Sequence, residues 1–480
     1  MRLGLASYAA LLAVVSVGGF VVACSSDDGN PVTTPPGVDA GPPPDGALAD
    51  TSTGDTSPPE TTDPLDVYTP AERAAMAALG PLPAVPSDTT NAFAGNALAA
   101  VLGQRLFFDK ALSGAIVTGD DGVNGGLGAV GETGKVACVS CHASKATDDS
   151  RSKPGNVSLG TSFGTRNALS IVNSSFYTWT NWGGRFDSQW SLPLAVVENG
   201  GTMNGTRLQL AHVLWDKYRA DYNAVFPIAL DARLDPADTN AADFPATGKV
   251  GQAAWDNLPQ SDKDIVNRIF ANFGKAIAAY MRLEVSRNAP FDQYVVALNA
   301  DAADKKQVTP EAKRGLRVFL NKGQCIQCHS GPNFADNQFN NIGVEQKGPN
   351  VPATDFGRFQ DVPALLASPF NTNSVFSDNV NTGKLTGLAQ AEEQRGKFRT
   401  KSLRGLSNAA PYMHSGQLAT LEAVVDYYST GGSTPGDAGV KDVRIKPLGL
   451  SAGEAADLVA FLKTLDGDPV PAALLMDTSR

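Results

Sequence analysis

The stretch GLRVFLNKGQCIQCH, residues 315–329, sets a hydrophobic segment directly ahead of a C-x-x-C-H motif. The same order occurs earlier, where GQRLFFDK at 103–110 precedes CVSCH at 138–142. Both segments carry Gly, Arg, Phe and Lys at matching offsets, so the chain holds two equivalent units. In TPEAKRGLRVFL, Thr309 is placed to cap a helix and Pro310 to open its first turn. Each unit therefore reads as a helix leading into a C-x-x-C-H motif.

The chain has 480 residues, with five Cys and only four His. A bare pair of C-x-x-C motifs suggests a zinc site or a redox disulfide. Here His142 follows Cys138 and Cys141 directly, and His329 follows Cys325 and Cys328 in the same way. Two thiols and an adjacent His are what covalent haem attachment needs: thioethers to the vinyl groups and an imidazole for the iron. A zinc ribbon or two local disulfides would not call for His at both places. Two covalently bound haem c groups are expected, on two mainly α, cytochrome c-like domains.

The ends of the chain point to export. MRLGLASYAALLAVVSVGGFVVAC reads as a secretory signal over residues 1–24, and its VVAC ending resembles a lipobox that would leave Cys24 lipidated. The run is short for a membrane helix. Residues 25–66 carry nine acidic side chains, many Pro and Thr, and no Lys or Arg. Such a segment cannot bury apolar surface, and a disordered tether is expected over 25–68. Most of the net charge of −10 resides there, so the folded part has no basic excess and nothing suggests nucleic acid. The expected contact with a membrane is through the lipid anchor only, in the cell envelope, on the periplasmic side or at the outer-membrane surface.

Of the other two His, His212 lies in a helical pattern, LQLAHVLWDKY, and reads as a packing residue. His414 lies in FRTKSLRGLSNAAPYMHSGQLATLEAVVDYYSTGG, which resembles the signature of the bacterial di-haem cytochrome c peroxidases, a family that includes the MauG enzymes. LGQRLFFDKALSG, GTRNALSIVNSSF, WGGRFDSQW, NAPFDQYV and LSAGEAADLVAFLKTLDG match it too, in family order from 91 to 467. The resemblance implies an N-terminal peroxidatic domain, 69–300, with its haem on Cys138, Cys141 and His142. It implies a C-terminal electron-transfer domain, 301–480, with its haem on Cys325, Cys328 and His329.

In the family's peroxidases a Met fourteen residues after the P-Y-x-H His is the sixth ligand of the second haem. Here Tyr428 stands at that place, as Tyr does in the MauG branch. With Thr420 as N-cap, Leu421, Val424, Val425 and Tyr428 share one helix face, while Tyr427 is turned about 100° away. Tyr428 is thus the expected sixth ligand; a hydrogen-bonded core tyrosine or ligation by Met413 are the competing readings. The loop from 143 to 169 contains no His, so the peroxidatic site is expected to stand open in the resting protein.

The resemblance further maps the proton-shuttling carboxylate onto Glu198 and the aromatic residue between the haems onto Trp182. It maps a Ca²⁺ site onto the Asn167 side chain and the carbonyls of Ala409 and Pro411. The implied reaction reduces hydrogen peroxide to water with electrons from a small cytochrome c or copper protein. Alternatives are a MauG-like oxidation of a protein or organic substrate, favoured by Tyr428, and a non-catalytic di-haem electron carrier. A homodimer is common among such relatives. Two Gly-rich or polar insertions, 114–138 and 234–252, read as surface loops.

Overall fold

The computed structural model describes residues 63–120, 125–142, 151, 153–302, 305–436 and 438–480. Cys24 and the leader lie outside the described residues, as does most of the expected tether. Residues 60–480 form one compact unit. Its helices are α1 (Pro70–Leu79), α2 (Ala97–Phe108), α3 (Leu192–Glu198), α4 (Arg207–Val225), α5 (Ala253–Asp256), α6 (Gln260–Met281), α7 (Pro290–Asn299), α8 (Pro310–Leu320), α9 (Arg358–Leu366), α10 (Leu421–Ser429) and α11 (Ala452–Lys463). Among the described residues β1 (Phe339–Asn340) pairs with β2 (Phe398–Arg399) in an antiparallel sheet two residues long. The architecture is mainly α.

Local chemistry explains several helix ends. The side chains of Thr309, Thr420 and Ser451 accept from the backbone N–H three residues on, and Glu454 returns the bond to complete a capping box. Each such cap contributes about 1 kcal/mol.

Two hydrophobic cores form. The first joins α2, α3, α4 and α6 around Trp190, Tyr218, Phe270 and Phe273. The second joins α1, α7, α8, α10 and α11 around Phe291, Phe319, Phe334 and Phe461. Within them α2 packs on α6, and α8 on α11. The repeat's shared glycine is the reason both crossings are close. A Cβ on Gly103 would lie 2.0 Å from the Ala276 carbonyl oxygen, and one on Gly315 would lie 1.9 Å from that of Asp457.

Three expectations need correction. Residues 63–68 are not tether: Pro64–Asp66 form a 3-10 turn, Tyr68 is buried, and Lys313 Nζ pairs with Asp63 and Asp66. The helices α1 and α7, placed by sequence with the N-terminal domain, bury their apolar faces in the second core. The 234–252 insertion is more than surface, since Leu234 and Phe244 are buried in the first core. Apolar side chains spaced along a polar loop give no periodicity to reveal them.

Candidate haem sites

The two C-x-x-C-H motifs fold alike. Cys138 begins a 3-10 turn in which its carbonyl accepts from the N–H of Cys141 (3.2 Å) and of His142 (3.0 Å). The Cys325 carbonyl accepts from Cys328 (3.2 Å) and His329 (2.9 Å). At the second motif the turn brings Cys325, Cys328 and His329 to the wall of one cavity. Burial pushes the thiols of Cys138 and Cys325 up to about 12, so both are held neutral in apolar surroundings. The first turn lies against α2, with the rings of Phe107 and His142 6.3 Å apart and Phe107 5.2 Å from Tyr280 of α6.

At the second turn, His329 Nδ1 is 3.0 Å from the Phe334 carbonyl oxygen. A carbonyl only accepts, so Nδ1 donates to it. Burial lowers the imidazole's proton affinity further. His329 opens onto a cavity lined by Cys325, Cys328, Phe319, Leu421, Val425 and Leu462. Two thiols, a neutral imidazole and an apolar wall are the donor set and surroundings that haem c requires, and the residues fit it.

Tyr428 lines this cavity together with Met413 and His414. Its hydroxyl makes no hydrogen bond among the described residues, and burial pushes its phenol up. Tyr427 points elsewhere and donates to the Ile342 carbonyl at 2.8 Å. The two tyrosines are thus separated as the helix face dictates. His414 is buried, stacks on Phe398 at 3.9 Å and accepts from Gln346 Nε2 at 2.6 Å. Burial pushes it down to about 4, so it is a neutral wall of the cavity.

Trp182 is buried, lines the same cavity, and donates from Nε1 to the Asn167 carbonyl at 2.8 Å. Asn167 in turn donates its N–H to the His414 carbonyl at 2.8 Å. A Cβ on Gly416 would lie 2.5 Å from Asn167 Nδ2 and 3.1 Å from Pro411. Asn167 and the 411–416 segment are therefore brought together, and Ala409 is buried close by in sequence. Among the described residues no cluster of three or more His, Cys, Asp or Glu is placed to hold a metal ion.

Glu198 closes α3, and its partly exposed carboxylate is held in an ion pair. Arg207 grips it from Nε (2.8 Å) and Nη2 (2.7 Å), and the Arg207 backbone N–H adds a third bond. The guanidinium itself lies over Trp255 at 4.7 Å. His212 contacts the Phe244 carbonyl at 3.1 Å, a packing role.

Sequence reasoning missed a buried ionic cluster beside these sites. Arg166 forks onto Asp355 at 2.6 and 2.7 Å and reaches Asp361 at 2.8 Å. The signal was the Arg immediately before Asn167, but its partners are nearly two hundred residues away.

Two C-x-x-C-H turns, one against each helical core, define a di-haem protein of the c type. A model of the di-haem cytochrome c peroxidases matches residues 97–300. The cytochrome-c peroxidase IdrP1 of Denitromonas iodatirespirans is 31% identical over 408 residues, 81% of this chain and 86% of that one. The methylamine utilization protein MauG of Methylorubrum extorquens is 33% identical over 199 residues, 42% and 45% of the two chains. A solved MauG-like protein associated with microbial copper homeostasis is 26% identical with a TM-score of 0.52, covering 83% of this chain and 97% of its own. The chain belongs to the di-haem cytochrome c peroxidase family, an oxidoreductase family whose cofactors are two haem c groups.

Proposed function

We propose that this protein reduces hydrogen peroxide to water at its N-terminal haem, with electrons entering at the C-terminal haem from a small redox protein. When bound, the haems supply the iron that cleaves peroxide and relays electrons. Cys138 and Cys141, and Cys325 and Cys328, would hold them covalently, with His142 and His329 on the irons. The observation that carries the reading is the doubled C-x-x-C-H turn, each copy on its own core. Around it stand two cytochrome c-like domains facing each other, one on each core, with α1 and α7 belonging to the second, exported and held at the envelope by lipid on Cys24.

The chain's own residues support specific roles. Trp182 joins the wall of the His329 cavity to Asn167, and is the aromatic bridge between the haems. Glu198 carries the proton between the peroxide oxygens, and Arg207 holds it in one orientation. Asn167, with the carbonyls of Ala409 and Pro411, holds Ca²⁺; few protein ligands and several waters suit that ion. Oxidation of a reduced small cytochrome c by peroxide tests the reading, with two electrons consumed per peroxide. No peroxide-dependent oxidation of any reduced small carrier, in either redox state of the enzyme, overturns it.

A second reading is favoured by one observation. Tyr428 lines the cavity of His329, and its hydroxyl makes no hydrogen bond among the described residues, which leaves it free to serve as a phenolate ligand. A phenolate stabilises oxidised iron, which suits oxidation of a protein or organic substrate as in MauG.

A further inference from the structure

Away from the haem sites, a cavity of about 200 Å³ lies between α6, the segment after α4 and the chain at 375–378. It shares no residue with the cavity of His329. From α6 it takes Arg268, Ala271, Asn272 and Lys275, spaced i, i+3, i+4 and i+7, which is one stripe of the helix. Two cations therefore project from one face into a single recess.

Their states differ. Lys275 is neutralised by Asp378 at 2.8 Å. Arg268 has no hydrogen-bond or ion-pair partner among the described residues, and its Nε is buried. The nearby carboxylates are already engaged. Asp378 also accepts from the Ala92 N–H, Asp231 is forked by Arg233, and Asp264 accepts from Gln260. Asp231 feels the field of Arg268 as well as that of Arg233, so the charge is partly offset at a distance, but a guanidinium nitrogen left buried and unbonded is costly.

The rest of the lining is apolar. Phe93 and Phe376 wall the recess, and Ile228 and Val375 form its lip, 51% and 89% exposed. Exposed aliphatic side chains beside a lone guanidinium match an anion that carries its own apolar body. We propose that this recess binds a small organic monocarboxylate, its carboxylate on Arg268 and its hydrocarbon or aromatic part against Phe93, Phe376 and Val375. A monoanion asks less of a partly offset charge than phosphate does, and Arg presents the fork geometry that a carboxylate accepts. The volume admits a benzoate-sized molecule but not a drug-sized one.

Benzoate is the probe, titrated calorimetrically into the purified di-haem protein, with benzyl alcohol and inorganic phosphate as competitors. The expected result is saturable one-to-one binding of benzoate that neither competitor displaces. Arg268→Gln should weaken it about tenfold or more, since a charge-assisted pair is lost. The proposal is overturned if the wild type shows no saturable binding, if phosphate displaces benzoate, or if Arg268→Gln binds as the wild type does. Haem absorption and melting temperature report whether Arg268→Gln is folded. Where it is not, Val375→Asp decides: an anionic lip on an exposed position should weaken benzoate severalfold, and unchanged affinity rejects the site.

Discussion

Gly315 of α8 and the carbonyl oxygen of Asp457 in α11 meet so closely that an added Cβ would sit 1.9 Å from that oxygen. The obstacle is backbone, so no side-chain rotation relieves it. Gly315→Ala must push the two helices apart and lose the packing around Phe319 and Phe461. The expected cost is about 1–3 kcal/mol, seen as a lower melting temperature. Gly453→Ala in α11, where the nearest atom is 4.0 Å away, is the control. It should raise stability by about 0.5–1 kcal/mol through helix propensity alone. Equal effects of the two changes would remove the steric account of the repeat's glycine.

Arg404 and Asp292 form a buried, two-pronged pair at 2.8 and 2.9 Å that ties the loop before the P-Y-x-H segment to α7. Removing one partner leaves the other charged and desolvated. Arg404→Met is expected to cost about 3–5 kcal/mol in denaturant unfolding. The double change Arg404→Met with Asp292→Leu should recover part of that loss. If the double variant is no more stable than the single, the pair's worth lies in its packing and not in its charges.

The contrast between these positions shows what local sequence carries. The C-x-x-C-H motifs, the caps at Thr309, Thr420 and Ser451, and the face shared by Leu421 and Tyr428 are short-range patterns, and they are legible. Arg404 and Asp292 are 112 residues apart, and Arg166 and Asp355 are 189 apart. Their burial is decided by the fold, and a charged residue looks the same in either environment. Glu198 was found by resemblance, but its capture by Arg207 depends on how α3 meets α4. Glu284 had no signal at all: it follows a helix end, where carboxylates are ordinarily solvated.

Glu284 is 1% exposed, and its Oε2 has no hydrogen-bond partner among the described residues. Burial pushes its carboxyl up to about 7, against a small opposing effect of Tyr280. Its folded value lies above the ordinary 4.5, so the folded state holds the proton longer. Below about pH 4.5 the group is protonated in both states and costs nothing. Between about pH 4.5 and 7 the unfolded chain ionises first, and stability falls as pH rises; above that the penalty is constant. Glu284→Gln removes this dependence. The difference in unfolding free energy between Glu284→Gln and wild type should therefore climb across that window, by up to roughly 3 kcal/mol. A difference that does not vary with pH would mean that Glu284 is solvated and ionised in the folded protein.

Tyr428 offers the sharpest test of the second haem. It shares a cavity wall with His329, and its hydroxyl makes no hydrogen bond among the described residues. Tyr428→Phe keeps the ring and its packing against the α10 face but deletes the only donor atom. If the phenolate binds iron, this change should raise the midpoint potential of one haem and alter its ferric spectrum, because an anionic donor that favours oxidised iron is gone. Tyr428→Met should raise it further, since a thioether favours the reduced metal. The other haem's potential and the melting temperature should be nearly unchanged in both variants. Should Tyr428→Phe leave both potentials and both ferric spectra as in the wild type, Tyr428 is a packing residue. Met413, in the same cavity wall, then becomes the ligand to test, by Met413→Leu and the same two measurements.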